Sequence, residues 1–373
     1  RKGAVTRGPI GVLVGAIAAA ATGAGDFGNV AQNHFVGQQI ALFASRVLGL
    51  KVAGNTIVEQ DRLGIGVWLD SCVECSVEHN RVRGLLTPLA LSAGDRNRVT
   101  GNVVSTSAVG ALLVKETALE FSHNLIEDAT LFGIGVNDIG RSNRFTHNRL
   151  AHCAYASTGT AVAIGVVGQG ASIDLAVESC DIVNTGIAPD GTTATPLAAV
   201  GIAAIRVSTC ELADNRIVYE DGTEARLNQN LEHRAIGLIG MPAYHVTLAS
   251  GEIQFAQGGA LITGNLFQGP GRTNLVELQR VVVTDQLDFR FEKVTFANNR
   301  CDHSTAAGEQ ATTVKLFGSH LIVTSNHVKA PQGVRSFDLG GRRTALLGNG
   351  TTGTIINAGA AIPLPIANFN FQI

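Results

Sequence analysis

The stretch Val52-Ala53-Gly54-Asn55-Thr56-Ile57 carries a pattern that returns along most of the chain. In this pattern an apolar residue is followed by two variable residues, Asn, one variable residue and a second apolar residue. The central position is held by Asn33, Asn55, Asn80, Asn102, Asn124, Asn148, Asn215, Asn265, Asn299, Asn326 and Asn349, and by Cys180 in one further copy. Such a repeat predicts about twelve similar structural units stacked along one axis.

The spacing of the repeat indicates a β-solenoid. The first units are about 22 residues long, with short alternating runs of Val, Ile, Leu and Phe between Gly, Asn and Ser. That alternation places one face of each short strand in an apolar interior. Asn suits the bend between two strands because it tolerates left-handed backbone conformation. Stacked Asn side chains can hydrogen-bond from coil to coil, so we expect an internal Asn ladder.

The repeat resembles that of the right-handed parallel β-helix proteins, the pectate-lyase-like superfold, over roughly residues 26–352. The resemblance implies an all-β, single-stranded parallel β-helix of about 12 coils. A leucine-rich repeat is disfavoured because helical periodicity is missing. We expect an N-terminal cap or remnant of a preceding coil at 1–29, the β-helix at 30–350, and an extended capping tail at 351–373. Two prolines, Pro363 and Pro365, prevent regular strand pairing in that tail.

The composition narrows the range of partners. Charged residues make up 16% of the chain and the formal net charge is -2, so no basic surface for nucleic acid is expected. No apolar run is long enough for a membrane-spanning helix. The sequence begins with Arg1, which favours a piece of a longer protein. We expect it to lie outside the cell or on a cell or particle surface.

The six cysteines do not predict a metal site. Cys72 and Cys75 form the one close pair, and the second pair that a zinc site needs is missing. Cys180 and Cys301 occupy inward positions of the repeat, where Cys acts as a small apolar filler. We therefore expect core cysteines and neither metal nor cofactor, with a Cys72–Cys75 disulfide as the alternative for that pair.

The surplus residues enter between about 150 and 300, where the coils lengthen. Insertions in adjacent coils of a solenoid stack on one side, often the binding face, and some of these are expected to be β-hairpins. The candidate binding residues in this region are Tyr219, Glu220, Arg226, Arg234, Tyr244, His245 and Arg272. Each of them could equally be a solvated loop side chain.

Catalytic signatures of enzymes with this fold are missing from the sequence. The Asp-Asp pair, the Gly-His-Gly and the Arg-x-Lys of polygalacturonases are absent, as is the clustered Asp set of pectate lyases. Asp174 is one of several acids spread through the central coils, and the remaining catalytic candidates are Asp181, Asp214, Arg206, Arg216 and His233. We expect a non-catalytic structural or recognition module, such as a spike, adhesin or tail-like component of a bacterial or phage assembly. Its expected partners are a glycan or other subunits. The alternative is a carbohydrate-active enzyme, a lyase, hydrolase or epimerase, acting on the insertion-lined face.

Overall fold

The computed structural model describes residues 10–15, 28–59, 63–138, 140–168, 174–190, 196, 198–220, 232–240, 242–248, 251–255, 258–270, 273–284, 287–304, 311–357, 360–361 and 371–372. All regular secondary structure in these ranges is β-strand. Nothing in them forms a helix that could cross a bilayer. Nearly every strand pairs in parallel with the equivalent strand one coil away, and this stacking makes the chain a solenoid.

Each coil contributes three strands. The first, the long strand, has six residues in most coils. The long strands are β1 (Ile10–Gly15), β4 (Ile40–Ser45), β7 (Ile65–Asp70), β10 (Thr87–Ser92), β13 (Val109–Val114), β16 (Phe132–Asn137), β19 (Thr160–Val167), β22 (Ala198–Val207), β25 (Glu232–Gly240) and β30 (Val276–Gln279). β1 lies within residues 1–29 and pairs in parallel with β4, as a strand of a preceding coil does.

The second strand of each coil ends just before the Asn position, and we call it the pre-Asn strand. These strands are β2 (Asn29–Ala31), β5 (Lys51–Ala53), β8 (Ser76–Glu78), β11 (Arg98–Thr100), β14 (Glu120–Ser122), β17 (Asn143–Thr146), β20 (Asp174–Glu178), β23 (Thr209–Ala213), β28 (Gly259–Thr263) and β33 (Phe291–Ala297). In the last coils the long and pre-Asn strands merge into β35 (Thr312–Thr324) and β37 (Arg335–Leu347), followed by β39 (Ile355–Asn357) and β40 (Ala360–Ala361). All of these form one 24-stranded sheet.

The third strand follows the Asn position, and we call it the post-Asn strand. These strands are β3 (His34–Val36), β6 (Thr56–Val58), β9 (Arg81–Arg83), β12 (Val103–Ser105), β15 (Leu125–Glu127), β18 (Arg149–Ala151), β21 (Asp181–Val183), β24 (Arg216–Val218), β29 (Leu266–Gly269), β34 (Arg300–His303), β36 (His327–Lys329), β38 (Gly350–Thr351) and β41 (Phe371–Gln372). They form a second, 13-stranded sheet.

An Asn ladder runs inside the bend between the two sheets. Oδ1 of Asn55 accepts hydrogen bonds from N and Nδ2 of Asn33, both at 3.0 Å, and Nδ2 of Asn55 donates to Val30 O at 2.8 Å. The same bonds join successive Asn residues up to Asn349. Cys180 interrupts them, where Nδ2 of Asn148 faces the Cys180 sulfur at 3.8 Å.

The left-handed residue of this bend is the one before the ladder position. φ is 54° at His79, 56° at His123 and 54° at Asp214, each of which directly precedes a ladder Asn. The expectation that the Asn itself adopts this conformation is therefore wrong. The Asn side chain must point into the solenoid to reach its neighbours, so the chain turns one residue earlier, at a position whose side chain points outward.

Inward side chains of the three strands fill one continuous apolar core along the solenoid. Along the pre-Asn strands, Val52, Val77 and Val99 stack in register with Phe121 and Phe145. The rings of the two phenylalanines lie 5.8 Å apart between centroids. All six cysteines are buried and free, as expected for core fillers. The alternating sequence pattern thus corresponds to one dry interior.

Two of the central insertions form a small sheet outside the solenoid. It consists of β26 (Pro242–Leu248), β27 (Gly251–Phe255), β31 (Val281–Thr284) and β32 (Leu287–Phe289), in the order β27-β26-β32-β31. Its strands are antiparallel, and β26 pairs with β32 of the next coil. Each hairpin lies between a long strand and the following pre-Asn strand, so the small sheet projects at that edge.

Candidate functional site

A groove of about 650 Å³ crosses five pre-Asn strands, from β17 to β33. The strands alternate, so Leu175 and Cys210 point inward and every second residue faces the groove. One row of groove residues is Arg144, Ala176, Glu211, Leu261 and Thr295, in register from coil to coil. A parallel row two residues upstream is Asp174, Thr209, Gly259 and Lys293.

The groove offers both charges and hydroxyl groups on a partly apolar floor. Thr209 Oγ1 donates a hydrogen bond to Asp174 Oδ1. An Arg144 guanidinium nitrogen lies 3.4 Å from Glu178 Oε1. Glu211 and Lys293 form no ion pair with any other residue in the described ranges. Neighbouring strands are about 4.8 Å apart, so five strands present about 19 Å of surface to a ligand lying along the solenoid axis.

The groove begins beside the small sheet. Gly259 opens β28 shortly after β27 ends at Phe255, and Lys293 follows β32 by four residues. The insertions therefore form one border of the groove, which agrees with the general placement of solenoid insertions beside binding faces.

Residues 40–217 match a family model described as the right handed beta helix region. The chain is a right-handed parallel β-helix. No curated protein matches it. The matched segment contains Arg144, Asp174 and Glu211. Lys293 lies in a later coil, outside the matched segment, and its strand continues the same sheet by parallel pairing.

Apart from Asp174, the catalytic candidates do not line this groove, and they do not all converge on one another. Asp181 and Arg216 lie together on the post-Asn sheet, which faces a different direction, and an Arg216 nitrogen is 2.6 Å from Asp181 Oδ1. Arg149 binds the other carboxylate oxygen at 2.7 Å, so Asp181 is held between two arginines. Asp214 is exposed at the Asn bend.

Two further catalytic candidates lie on the long strands β22 and β25. Arg206 is left-handed at the end of β22, where its guanidinium lies 5.1 Å above the centre of the Phe289 ring. His233 is only 2% exposed, with its ring 6.3 Å from that of Tyr219. A buried imidazole cannot reach a ligand on the outer surface, so His233 does not fit the role assigned to it.

The binding candidates are also dispersed. Tyr219 is buried, and its hydroxyl donates to Thr185 O at 3.1 Å, so it supports the core of two coils and faces no ligand. Burial raises the Tyr219 pKa. Glu220 is tied to Asn184 of the preceding coil. Arg234 pairs with Glu277 at 2.7 Å on the long-strand face. Arg226, Arg272 and the side chains of Tyr244 and His245 lie outside the described residues.

Sequence reasoning named Asp174 but missed Arg144, Glu211 and Lys293. Their signal is present in the repeat: each occupies an outward, every-second-residue position of a pre-Asn strand. Counting back from each ladder position to the residue four before it gives Arg144, Glu211 and Thr295. That count marks outward positions of the pre-Asn strands, but it does not indicate which coils form a groove, and it misses Lys293, which lies six residues before Asn299.

Cys72 and Cys75 are buried neighbours at one corner of the β-helix. A hydrogen bond with Cys72 lowers the pKa of the Cys75 thiol to about 7, and the same bond raises that of Cys72. No third His, Cys, Asp or Glu joins them to make a metal-binding group within the described residues. The pair belongs to the core packing of its coil.

The central outward row of the long strands carries no charged side chain over nine consecutive coils, although Asp70, Arg206 and Arg234 lie beside it on the same strands. Its central row is Leu13, Phe43, Trp68, Ala90, Leu112, Gly135, Gly165, Ala203 and Gly237, in continuous register. Trp68 faces outward, as expected, and packs on Phe43 with 4.8 Å between ring centroids. Leu13, Leu112, Phe132, Val167 and Ile205 on these strands are all exposed large apolar side chains. We call this surface the uncharged strip.

Proposed function

We propose that this β-helix is a non-catalytic recognition module that binds an extended glycan in the groove and contacts a further subunit through the uncharged strip. The groove is the observation that carries the proposal. Its charged and hydroxyl side chains lie in two rows along the solenoid axis, and Glu211 and Lys293 line the groove where a ligand can reach them. Sugar hydroxyls donate and accept, so a surface that mixes carboxylates, cations and threonines can satisfy them along a chain.

The small number of aromatic residues shapes the expected binding mode. The chain has one Trp and three Tyr, and Trp68 is far from the groove on the long-strand face. Stacking is therefore a minor contribution, and hydrogen bonds and charge carry the affinity. Charge-dependent binding of this kind weakens as salt screens it.

The uncharged strip supports the assembly part of the proposal. Nine strands at about 4.8 Å spacing and six residues at about 3.3 Å give the whole long-strand face an area of about 760 Å². A standard stable interface buries about 800 Å² on each partner. Because the central row has no charge, two copies of this face meet without like-charge repulsion. A second copy of this chain is accordingly the partner that we propose for it, because exposed apolar side chains such as Leu13 and Leu112 line the strip and contiguous exposed apolar surface marks association sites.

Binding is tested with the full chain on a panel of acidic and neutral polysaccharides, by titration calorimetry at low and high salt. Glu211→Gln and Lys293→Gln should each weaken the glycan that binds by about fivefold or more, since hydrogen bonds to charged groups are among the stronger ones. Arg81→Gln, on the post-Asn sheet, is the matched control and should have no effect. Equal affinity of all variants would overturn the groove as the binding site.

A carbohydrate-active enzyme is the second candidate, favoured by one observation. Asp174 and Glu211 both face the groove from adjacent strands, diagonally across two residues of register. With strands about 4.8 Å apart and about 3.3 Å per residue, the Cα atoms of this parallel diagonal pair lie about 8 Å apart. This spacing lets the two carboxyl groups reach the separation of about 6.5–9.5 Å that inverting glycosidases use. The same panel is read for new reducing ends and unsaturated products. Turnover that Asp174→Asn and Glu211→Gln abolish would replace the non-catalytic proposal with the enzyme.

A further inference from the structure

A second, smaller pocket of about 270 Å³ lies beyond the groove, towards the C-terminal coils. Two arginines line it from the base of one hairpin: Arg280 immediately precedes β31, and Arg290 immediately follows β32. Ser319 of β35 and Gly340 of β37 complete the wall. The hairpin thus brings together two guanidinium groups that are ten residues apart in the sequence.

Both guanidinium groups meet at one carboxylate oxygen. Arg280 Nε donates to Asp288 Oδ2, and Arg290 Nη1 lies 3.4 Å from the same oxygen. The Asp288 side chain is 1% exposed, so this carboxylate holds the two guanidinium groups from the protein side and not from the solvent side of the pocket. The charged residues among the pocket's lining in the described part of the chain are Arg280 and Arg290, so the side chains that face a ligand there are cationic.

The accessibility of the two arginines differs in a way that suits ligand entry. The Arg290 side chain is 8% exposed and forms the inner end of the site, whereas that of Arg280 is 42% exposed and reaches solvent. Partial removal from water strengthens the field that an entering anion experiences. Planar guanidinium groups pair with planar or tetrahedral oxyanions through two parallel N–H donors, which an ammonium group cannot do. Ser319, itself buried, adds a hydroxyl donor.

We propose that this pocket binds the oxyanion group of a small ligand, a carboxylate, sulfate or phosphate. The inference stands apart from the glycan groove, since Arg280 and Arg290 are not among the groove residues. The pocket volume admits a free oxyanion or the acidic end of one sugar residue, but not an extended chain. The two sources, a free inorganic anion and an acidic sugar, share the chemistry that the arginines recognise.

The test is calorimetric titration of the full chain at low ionic strength with sodium sulfate, inorganic phosphate and galacturonate, with galactose as the neutral counterpart. Saturable binding of at least one anion and none of galactose is expected. Arg280→Gln should weaken that binding about tenfold or more. Arg280→Lys should recover only part of it, because the charge returns without the fork. Arg300→Gln, an exposed arginine on the post-Asn sheet, should leave it unchanged.

Ser319→Ala provides a variant that leaves the arginines and Asp288 in place, should Arg280→Gln lower the melting temperature. It should weaken the same anion about threefold. Preference for galacturonate identifies the acidic sugar as the source, and preference for sulfate or phosphate identifies the inorganic anion. No saturable anion binding, or binding that is equal in Arg280→Gln, Ser319→Ala and Arg300→Gln, would overturn the site. Because the groove variants are separate, this result is independent of glycan binding.

Discussion

Oδ1 of Asn102 accepts two hydrogen bonds from Asn80, from the backbone N at 3.0 Å and from Nδ2 at 2.9 Å. Nδ2 of Asn102 in turn donates to Val77 O at 2.8 Å, and both asparagines are completely buried. One amide therefore satisfies polar groups of the coil before it and is itself satisfied by the coil after it. The bend between the two sheets can be dry because these bonds leave no buried amide without a partner.

Asn102→Ala should lower the free energy of unfolding by about 3–5 kcal/mol, since it leaves the Asn80 amide and the Val77 carbonyl buried without their partners. Chemical denaturation monitored by circular dichroism measures this loss. Asn33→Ala is the control at the exposed end of the ladder, and it should cost less than about 1 kcal/mol. Equal losses at the two positions would contradict the role of burial.

Cys180→Asn should stabilise the protein by about 1 kcal/mol, because it restores the missing ladder position. The backbone N of Cys180 already donates to Asn215 Oδ1 at 2.9 Å, and its sulfur faces Phe145 O at 3.4 Å, where an Asn Nδ2 would donate. Cys210→Asn is the control: Cys210 points into the apolar core, so this change should destabilise. Melting temperatures of both variants decide the matter, and destabilisation by Cys180→Asn would show that the interrupted ladder is already optimal.

Glu78 should make stability depend on pH in the acid range. A hydrogen bond from Lys51, with a second from Arg98, holds the pKa of this nearly buried carboxylate at about 2. Because an unfolded Glu titrates near pH 4.3, its contribution is complete above that value and is lost as pH falls towards about 2. Glu78→Gln should cost about 2 kcal/mol at pH 7, allowing for the half-exposed cations.

The difference between the wild type and Glu78→Gln should shrink below pH 4 and vanish near pH 2, which denaturation at a series of pH values measures. Glu120→Gln, an exposed neighbour on the same sheet, should cost less than about 0.5 kcal/mol at every pH. A difference for Glu78→Gln that stays constant with pH would contradict the ion-pair explanation.

Leu112→Glu should prevent self-association through the uncharged strip, since two copies would each place a carboxylate at the centre of the contact. Leu112 is 41% exposed, and Val103, which is 38% exposed on the post-Asn sheet, supplies the matched control Val103→Glu. Analytical ultracentrifugation should find the wild type and Val103→Glu associated and Leu112→Glu monomeric. A monomeric wild type at high concentration would exclude the second copy as the partner of this face.

Much of the fold follows from the sequence because each coil repeats the same local requirements. The apolar flanks of Asn55 and the ten other ladder asparagines define which side chains point inward, and the parallel β-helix predicted from them is confirmed. The left-handed residue was predicted one position too late, because the pattern marks the bend but not the direction of the Asn side chain. Domain boundaries at 29 and 351 remain predictions.

The site was less predictable because its residues come from different coils. Asp174, Glu211 and Lys293 line one groove only because the insertions between them project away from the stacked strands. The sequence separations of these residues do not indicate that arrangement. The run Val281-Val282-Val283 resembles a core strand, yet its side chains are exposed on the small sheet. Tyr219 and His233 were expected on loops because they bound one of the surplus segments of the central coils, but packing between coils buries both.

The left-handed residue before each ladder position places one outward side chain per coil along a single edge of the β-helix. His79, His123, His147, Ser179 and Asp214 all occupy this position, and the rings of His123 and His147 lie parallel with their centroids 4.8 Å apart. The hydrogen bonds of the ladder hold the backbone there in its left-handed conformation, so the outward side chain makes no contact that the fold requires. Substitutions at this one position per coil can therefore change the surface chemistry at intervals of one strand spacing. A row of chosen side chains could be matched to a periodic partner without changes to the core beneath it.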